Sequence, residues 1–146
     1  MTWQVQLNGD SLTWLLEPEN PAVRYLALRD LLDYPADHPD LRAAQQAAYA
    51  TGPIATFLAA MNEAGYWVRP GPGYTSIYRS TVWAIIALAQ MGARADQDAR
   101  LARACAYLID HSLTEGGQFT MKGTPSSTID CLQGNLCAAL LDLGYD

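Results

Sequence analysis

The chain repeats itself. Gly65-Tyr66-Trp67 is echoed by Gly117-Gln118-Phe119, and the same step of 52 positions (117 − 65) carries Tyr78 onto Asp130, Arg79 onto Cys131, Trp83 onto Asn135 and Leu88 onto Leu140. It also carries Met91-Gly92 onto Leu143-Gly144. One register that runs from an aromatic turn through a long apolar run to a closing glycine is what duplicated helical units leave in a sequence. A unit of this size cannot bury its apolar face alone, so such units must stack.

The 146 residues suffice for one ordinary domain with a real core. Half are hydrophobic and 16% are charged, which excludes a disordered chain. The net charge is -6, and Lys122 is the single lysine beside the arginines. Without a basic stripe to neutralise phosphates, nucleic acid is excluded as a partner and docking on anionic lipid is disfavoured. The opening Met1-Thr2-Trp3-Gln4-Val5-Gln6 lacks the basic and apolar regions of a secretory signal. The longest apolar run, Val82 to Ala89, is far below the roughly 20 residues needed to span a bilayer. Cys105, Cys131 and Cys137 make an odd set without Cys-x-x-Cys spacing, as expected of free thiols in a reducing cytoplasm. A soluble cytoplasmic chain without a membrane span is expected.

The periodicity predicts an all-α chain. Asp10 caps a short helix over Ser11 to Leu16, and Asn20-Pro21 opens a helix over Ala22 to Asp33 whose apolar residues include Val23, Leu26, Ala27 and Leu31. His38-Pro39-Asp40 leads into Leu41 to Ala50, closed by Gly52. Ile54, Phe57, Leu58 and Met61 form a stripe on the next helix. Gly65, Pro70, Gly71, Pro72 and Gly73 then make residues 63–74 a loop. A helix from about Thr75 to Met91, ended by Gly92, is apolar all round through its middle, so protein must cover every side. Asp96 caps a helix to Asp110 with Leu101, Cys105, Leu108 and Ile109 inward. Gly116-Gly117 and a polar loop precede the last helix, Ser127 to Leu143, also apolar through its middle. The best strand candidate, Thr2 to Leu7, is short. The units read as 1–52, 53–92 and 93–146, about three helix pairs in a curved solenoid.

Gly65-Tyr66-Trp67 with Tyr78-Arg79-Ser80-Thr81-Val82-Trp83 resembles the repeat of the α/α-toroid family, the terpenoid (squalene and oxidosqualene) cyclases and protein prenyltransferase β subunits. Gly116-Gly117-Gln118-Phe119 with Ser127-Thr128-Ile129-Asp130-Cys131-Leu132-Gln133-Gly134-Asn135 resembles the next repeat. Over residues 53 to 146 the chain is similar to the N-terminal half of bacterial prenyltransferase/squalene-oxidase repeat proteins, and Pro21-Ala22-Val23-Arg24-Tyr25-Leu26-Ala27-Leu28 resembles the start of a HEAT repeat. The resemblance implies a partial toroid, completed by a second half or a partner, with Trp67 and Phe119 wedged between units. The last inner helix would then lack its covering neighbour. The family's chemical motifs are broken here: Asp130 and Cys131 are adjacent where zinc-binding relatives have Asp-x-Cys, no histidine follows, and Leu132-Gln133-Gly134 departs from the Asp-Cys-Thr-Ala-Glu acid.

The candidate catalytic pair is Asp130-Cys131 at the mouth of an inner helix, where the dipole stabilises a carboxylate and acidifies a thiol. The same residues serve equally as a cap and a small core side chain. The candidate ligand-binding residues are Tyr78, Arg79, Trp83 and Asn135. The first three offer a cation and aromatic faces, or else internal glue with Arg79 bonded to carbonyls of residues 71–74. Asn135, expected to be buried, must hydrogen-bond backbone or ligand. His38 and His111 are isolated, so neither a metal site nor any cofactor is expected. Two functions compete. One is a helical-repeat binding or scaffold module whose concave face grips a peptide or protein, a second toroid half or another copy of the chain. The alternative is part of a cyclase- or prenyltransferase-like enzyme acting on an apolar or isoprenoid substrate.

Overall fold

Regular hydrogen bonding in this chain is helical. The computed structural model describes Gln6 and residues 8–145, and among them there is no strand, only the isolated antiparallel bridges Leu113–Phe119 and Thr120–Thr128. The strand candidate at 2–7 lies, Gln6 apart, outside the described residues. The chain divides into two compact units, Met1–Ala55 and Thr56–Asp146, with the division falling inside a helix.

In the first unit, helix α1 (Ser11–Leu15) is opened by Asp10, whose carboxylate accepts from the Thr13 amide at 3.1 Å and its hydroxyl at 2.5 Å. Those bonds, the hydroxyl's first, hold the Asp10 carboxyl below the usual range. Helix α2 (Pro21–Leu26) begins at Pro21 as expected, but the Asn20 side chain makes no capping bond. Helical winding then loosens into a π segment (Ala27–Leu31), in which Leu32 N–H donates to Ala27 O at 3.1 Å. This segment moves the inward face. Ala22, Tyr25, Ala27 and Leu28 are buried, whereas Val23 and Leu31 face out, because apolar residues line both sides of α2 and the wider turn carries Leu31 past the core. Asp33, in the left-handed region at φ 52°, ends the run. Helix α3 (Pro39–Ala50) is capped by the His38 ring, whose Nδ1 accepts from Asp40 N–H at 3.2 Å. Leu41 and Ala44 of α3 close a small core with Tyr25 and Leu28. The Gln45 amide donates to the Tyr25 hydroxyl at 3.4 Å.

Helix α4 (Gly52–Ala59) crosses into the second unit with Ile54 and Leu58 buried. Helix α5 (Thr81–Gln90) starts six residues later than the expected Thr75 (81 − 75). Ser76 at φ 71° and Tyr78 at φ 64° are left-handed, and helix cannot pass through them. Every side chain from Thr81 to Ala89 is buried or half-buried, as its composition demanded. It packs against α6 (Ala99–Ser112) and α7 (Asp130–Asp142). Helix α6 is capped by Asp98, not Asp96: the Asp98 carboxylate accepts from Arg100 N–H at 2.9 Å and pairs with its guanidinium at 2.7 Å. It buries Leu101, Ala104, Cys105, Tyr107 and Leu108. A short 3-10 turn (Pro125–Ser127) takes up Ser127, the expected first residue of the last helix, and α7 starts three residues later at Asp130.

Helix α7 is not apolar all round. Leu132, Leu136, Ala139 and Leu140 turn inward, while Cys131, Gly134, Asn135, Cys137, Ala138 and Leu141 face out. Asn135 therefore stands exposed on the outward face of α7, which corrects the burial expected for it.

The 52-residue step of the sequence is also a step in hydrogen bonding. Asn62 N–H donates to Tyr66 O at 2.8 Å and Thr114 N–H to Gln118 O at 2.9 Å; Gly65 N–H donates to Asn62 O and Gly117 N–H to Thr114 O, both at 2.9 Å. Trp67 N–H donates to Thr81 Oγ1 at 3.2 Å, and Phe119 N–H to Gln133 Oε1 at 2.8 Å. At the far ends, Gly92 N–H donates to Ala89 O and Gly144 N–H to Leu141 O at 2.9 Å, while Ala93 bonds Leu88 O and Tyr145 bonds Leu140 O at 3.0 Å. Gly92 and Gly144 are left-handed at φ 77° and 70°, completing two Schellman closures.

The one-sidedness of α7 is directly measurable. Leu136→Ala, at a side chain with 0% exposure, is expected to cost about 2–5 kcal/mol in chemical denaturation. Leu141→Ala, at 69% exposure, is expected to change stability by less than about 0.5 kcal/mol.

Candidate functional site

The loop between α4 and α5 is built around Trp67. Its ring is buried, its amide is held by Thr81 Oγ1, and its indole N–H donates to Phe57 O at 2.8 Å. Arg69 N–H donates back to Trp67 O at 2.8 Å, closing a three-residue γ-turn centred on Val68 at φ 69°. That turn is rare, and a β-branched residue in it is strained by an amount of order 1–3 kcal/mol. Further along, Gly71 N–H donates to the Tyr107 hydroxyl at 2.8 Å. Gly73, at φ 75°, lies so close to α5 that an added Cβ would stand 2.7 Å from Thr81 Cβ. Gly73 O accepts from Ser80 Oγ at 2.7 Å and from Val82 N–H at 3.1 Å.

This scaffold fixes an aromatic group at the start of α5. Trp83 donates its indole N–H to Tyr74 O at 2.9 Å, and its ring meets Tyr74 at 5.4 Å and Tyr78 edge-on at 5.2 Å between centroids. The bonds to loop carbonyls that Arg79 was expected to supply are made instead by Ser80 and Trp83. The Arg79 guanidinium stands exposed, without a hydrogen bond or ion pair to any described residue. It lines a cleft of about 380 Å³ together with Tyr78, Val68, Trp67, Phe57, Ala60 and Thr56. Tyr78 is 78% exposed, Val68 58% and Ile77 54%. Val68 and Tyr78 are held outward by left-handed backbone, with Ile77 exposed beside Tyr78.

Asp130, Cys131 and Asn135 do not join this cleft. All three are exposed on the first turns of α7, and no ring contact or hydrogen bond among the described residues connects them to Tyr78, Arg79 or Trp83. Asp130 is the first helical residue, while the cap position belongs to Ile129. Neither histidine forms a ligand set: His111 stacks on Tyr107 at 3.9 Å, and His38 caps α3. Among the described residues no group of three or more His, Cys, Asp or Glu is placed to hold a metal ion, and no helix is long and apolar enough to cross a membrane.

Sequence reasoning missed Val68 and Ile77. Only the glycine and proline density around them signalled an unusual loop, and nothing in it marks a valine as left-handed. It also missed Arg69 and Lys122, which line a second cleft with Pro70, Pro72, Gly73, Thr75 and Met121. No family model, curated protein or solved structure matches this chain.

The thiols separate cleanly. Burial pushes Cys105 up to about 11, while Cys131 and Cys137 are exposed. A disulfide reagent at pH 8 is expected to modify Cys131 and Cys137 in the native protein and Cys105 only after denaturation. Because the folded state holds the Cys105 proton more tightly than the unfolded chain, its contribution to stability is complete below the unfolded thiol's titration near 9.0 and is lost as pH rises through about 11. Cys105→Ala should flatten that alkaline slope in denaturation midpoints.

Proposed function

We propose that the chain is a helical-repeat binding module of the α/α-toroid kind, made of stacked α-hairpins, whose working surface is the cleft at the N-terminal end of α5. The observation that carries this reading is the strained loop that holds Tyr78 and Val68 outward beside Arg79. Strain persists only where the surrounding bonds over-determine it, and here the ties to Thr81, Phe57 O and Gly73 O do so. The recurrence of the Thr81 tie 52 residues later, where Phe119 N–H donates to Gln133 Oε1, supports stacked units.

The cleft asks for a ligand with an aromatic or aliphatic body and a negatively charged or carbonyl end. Such a group is presented by an extended segment of a peptide or protein partner: the body lies against Tyr78 and Val68, and the acceptor meets the Arg79 guanidinium. The enzymatic reading, on an apolar or isoprenoid substrate, gains nothing from Asp130 and Cys131, which lie outside this cleft on an exposed helix face.

The probe 8-anilinonaphthalene-1-sulfonate has the required aromatic body and anionic end. A fluorescence titration should saturate at one site, and Tyr78→Ala and Arg79→Gln should each weaken binding roughly tenfold. Binding that is unchanged in both variants, with the fold intact by circular dichroism, would remove this cleft as the working surface.

A further inference from the structure

We infer that the second unit carries a separate anion site: the cleft of about 300 Å³ lined by Arg69, Thr75 and Lys122 takes a phosphate group. Its residues come from corresponding places in the two halves of the 52-residue step, since Arg69 maps onto Met121 and Pro70 onto Lys122 (121 − 69 and 122 − 70). It is distinct from the Tyr78 cleft, with which it shares no lining residue.

The γ-turn at Val68 separates the two. Trp67 is buried at the floor of the aromatic cleft, Val68 lines that cleft from outside and Arg69 turns to the polar one. The Arg69 guanidinium is then steadied by a bond from Nη2 to Thr75 Oγ1. The facing loop is equally fixed. Lys122 N–H donates to Ser127 Oγ at 3.2 Å, Gly123 N–H to Thr120 Oγ1 at 2.6 Å, and Ser112 Oγ anchors Pro72 O at 2.8 Å. A Cβ on Gly123 would lie 3.5 Å from Pro72 Cγ, so the loops abut.

No acidic residue lines this cleft. The ion pairs among the described residues engage Arg29, Arg94 and Arg100, leaving Arg69 and Lys122 without a carboxylate. Two cations brought together without a counter-charge repel each other, and an anion between them removes that cost. A phosphate group suits the arrangement better than a carboxylate, because its near-double charge is spread over three oxygens that a guanidinium and an ammonium can approach from opposite loops. The net charge of -6 repels a polyanion at long range, so the ligand is small.

Isothermal titration of the whole chain with inorganic phosphate and with phenyl phosphate, at constant ionic strength, tests this. A dissociation constant of about 1 mM or tighter is expected for at least one of them, weakened roughly tenfold by Arg69→Gln and by Lys122→Gln while circular dichroism stays unchanged. Binding of both probes assigns the site to phosphate esters, and binding of inorganic phosphate alone assigns it to the free ion. Arg42→Gln, on the exposed face of α3, should bind like the parent. The proposal is overturned if neither probe binds, if both cleft variants bind like the parent, if Arg42→Gln weakens binding as much as they do, or if succinate binds more tightly than phosphate.

Discussion

The second unit depends on one kind of bond made twice. A buried backbone N–H, on the aromatic residue that closes a glycine turn, is satisfied by a side-chain oxygen from the start of the following helix. Thr81 does this for Trp67 and Gln133 does it for Phe119. A loop amide carried into a core needs such a partner, because leaving it unpaired costs about 1–3 kcal/mol. Gln133 goes further and returns its own amide to Phe119 O at 2.7 Å, so that strand-like loop and helix are laced together. With the aromatic residue pinned, the chain after it has fixed direction, and both clefts inherit their shape from that direction.

The consequences run outward from Trp67. Its ring occupies the core and its indole N–H ties down the end of α4, so the turn at Val68 has nowhere to relax. The strain stored there sets adjacent residues to different tasks: an apolar surface on one side and a cation on the other. Tyr107 reinforces the same loop from α6, with its hydroxyl on Gly71 N–H and its ring between Tyr66 and His111. The walls of both clefts are therefore tied down by these bonds, and in the proposed binding role that spares a ligand the entropy of ordering them.

Much of the helical framework was legible from residue patterns. Gly92 and Gly144 end their helices as glycine terminators should, and the apolar run of α5 required cover on every side. The 52-residue step marks Trp67 and Phe119 as equivalent positions, and both are buried. What escaped the sequence has physical reasons. Ser76 and Tyr78 adopt left-handed backbone that their residue types do not announce, so α5 begins later than its composition suggests. Asp96 and Asp98 are equally good caps by composition, and only the bond to Arg100 N–H decides between them. The π segment after Leu26 shifted the face of α2 by a displacement that a 3.6-residue period cannot anticipate. The match of Asn135 to Trp83 implies a core position, but α7 buries only one face and Asn135 lies on the other. Arg69 and Lys122, distant in sequence, become neighbours through loop packing that no local pattern encodes.

The most direct measurement is the exchange rate of the Trp67 amide hydrogen in Thr81→Val, read beside chemical denaturation of the same variant. Valine keeps the volume of the side chain while removing the acceptor. If the tie governs the loop, Trp67 loses its protection and the fold loses about 1–3 kcal/mol. An unchanged exchange rate with stability held within about 0.5 kcal/mol would contradict it.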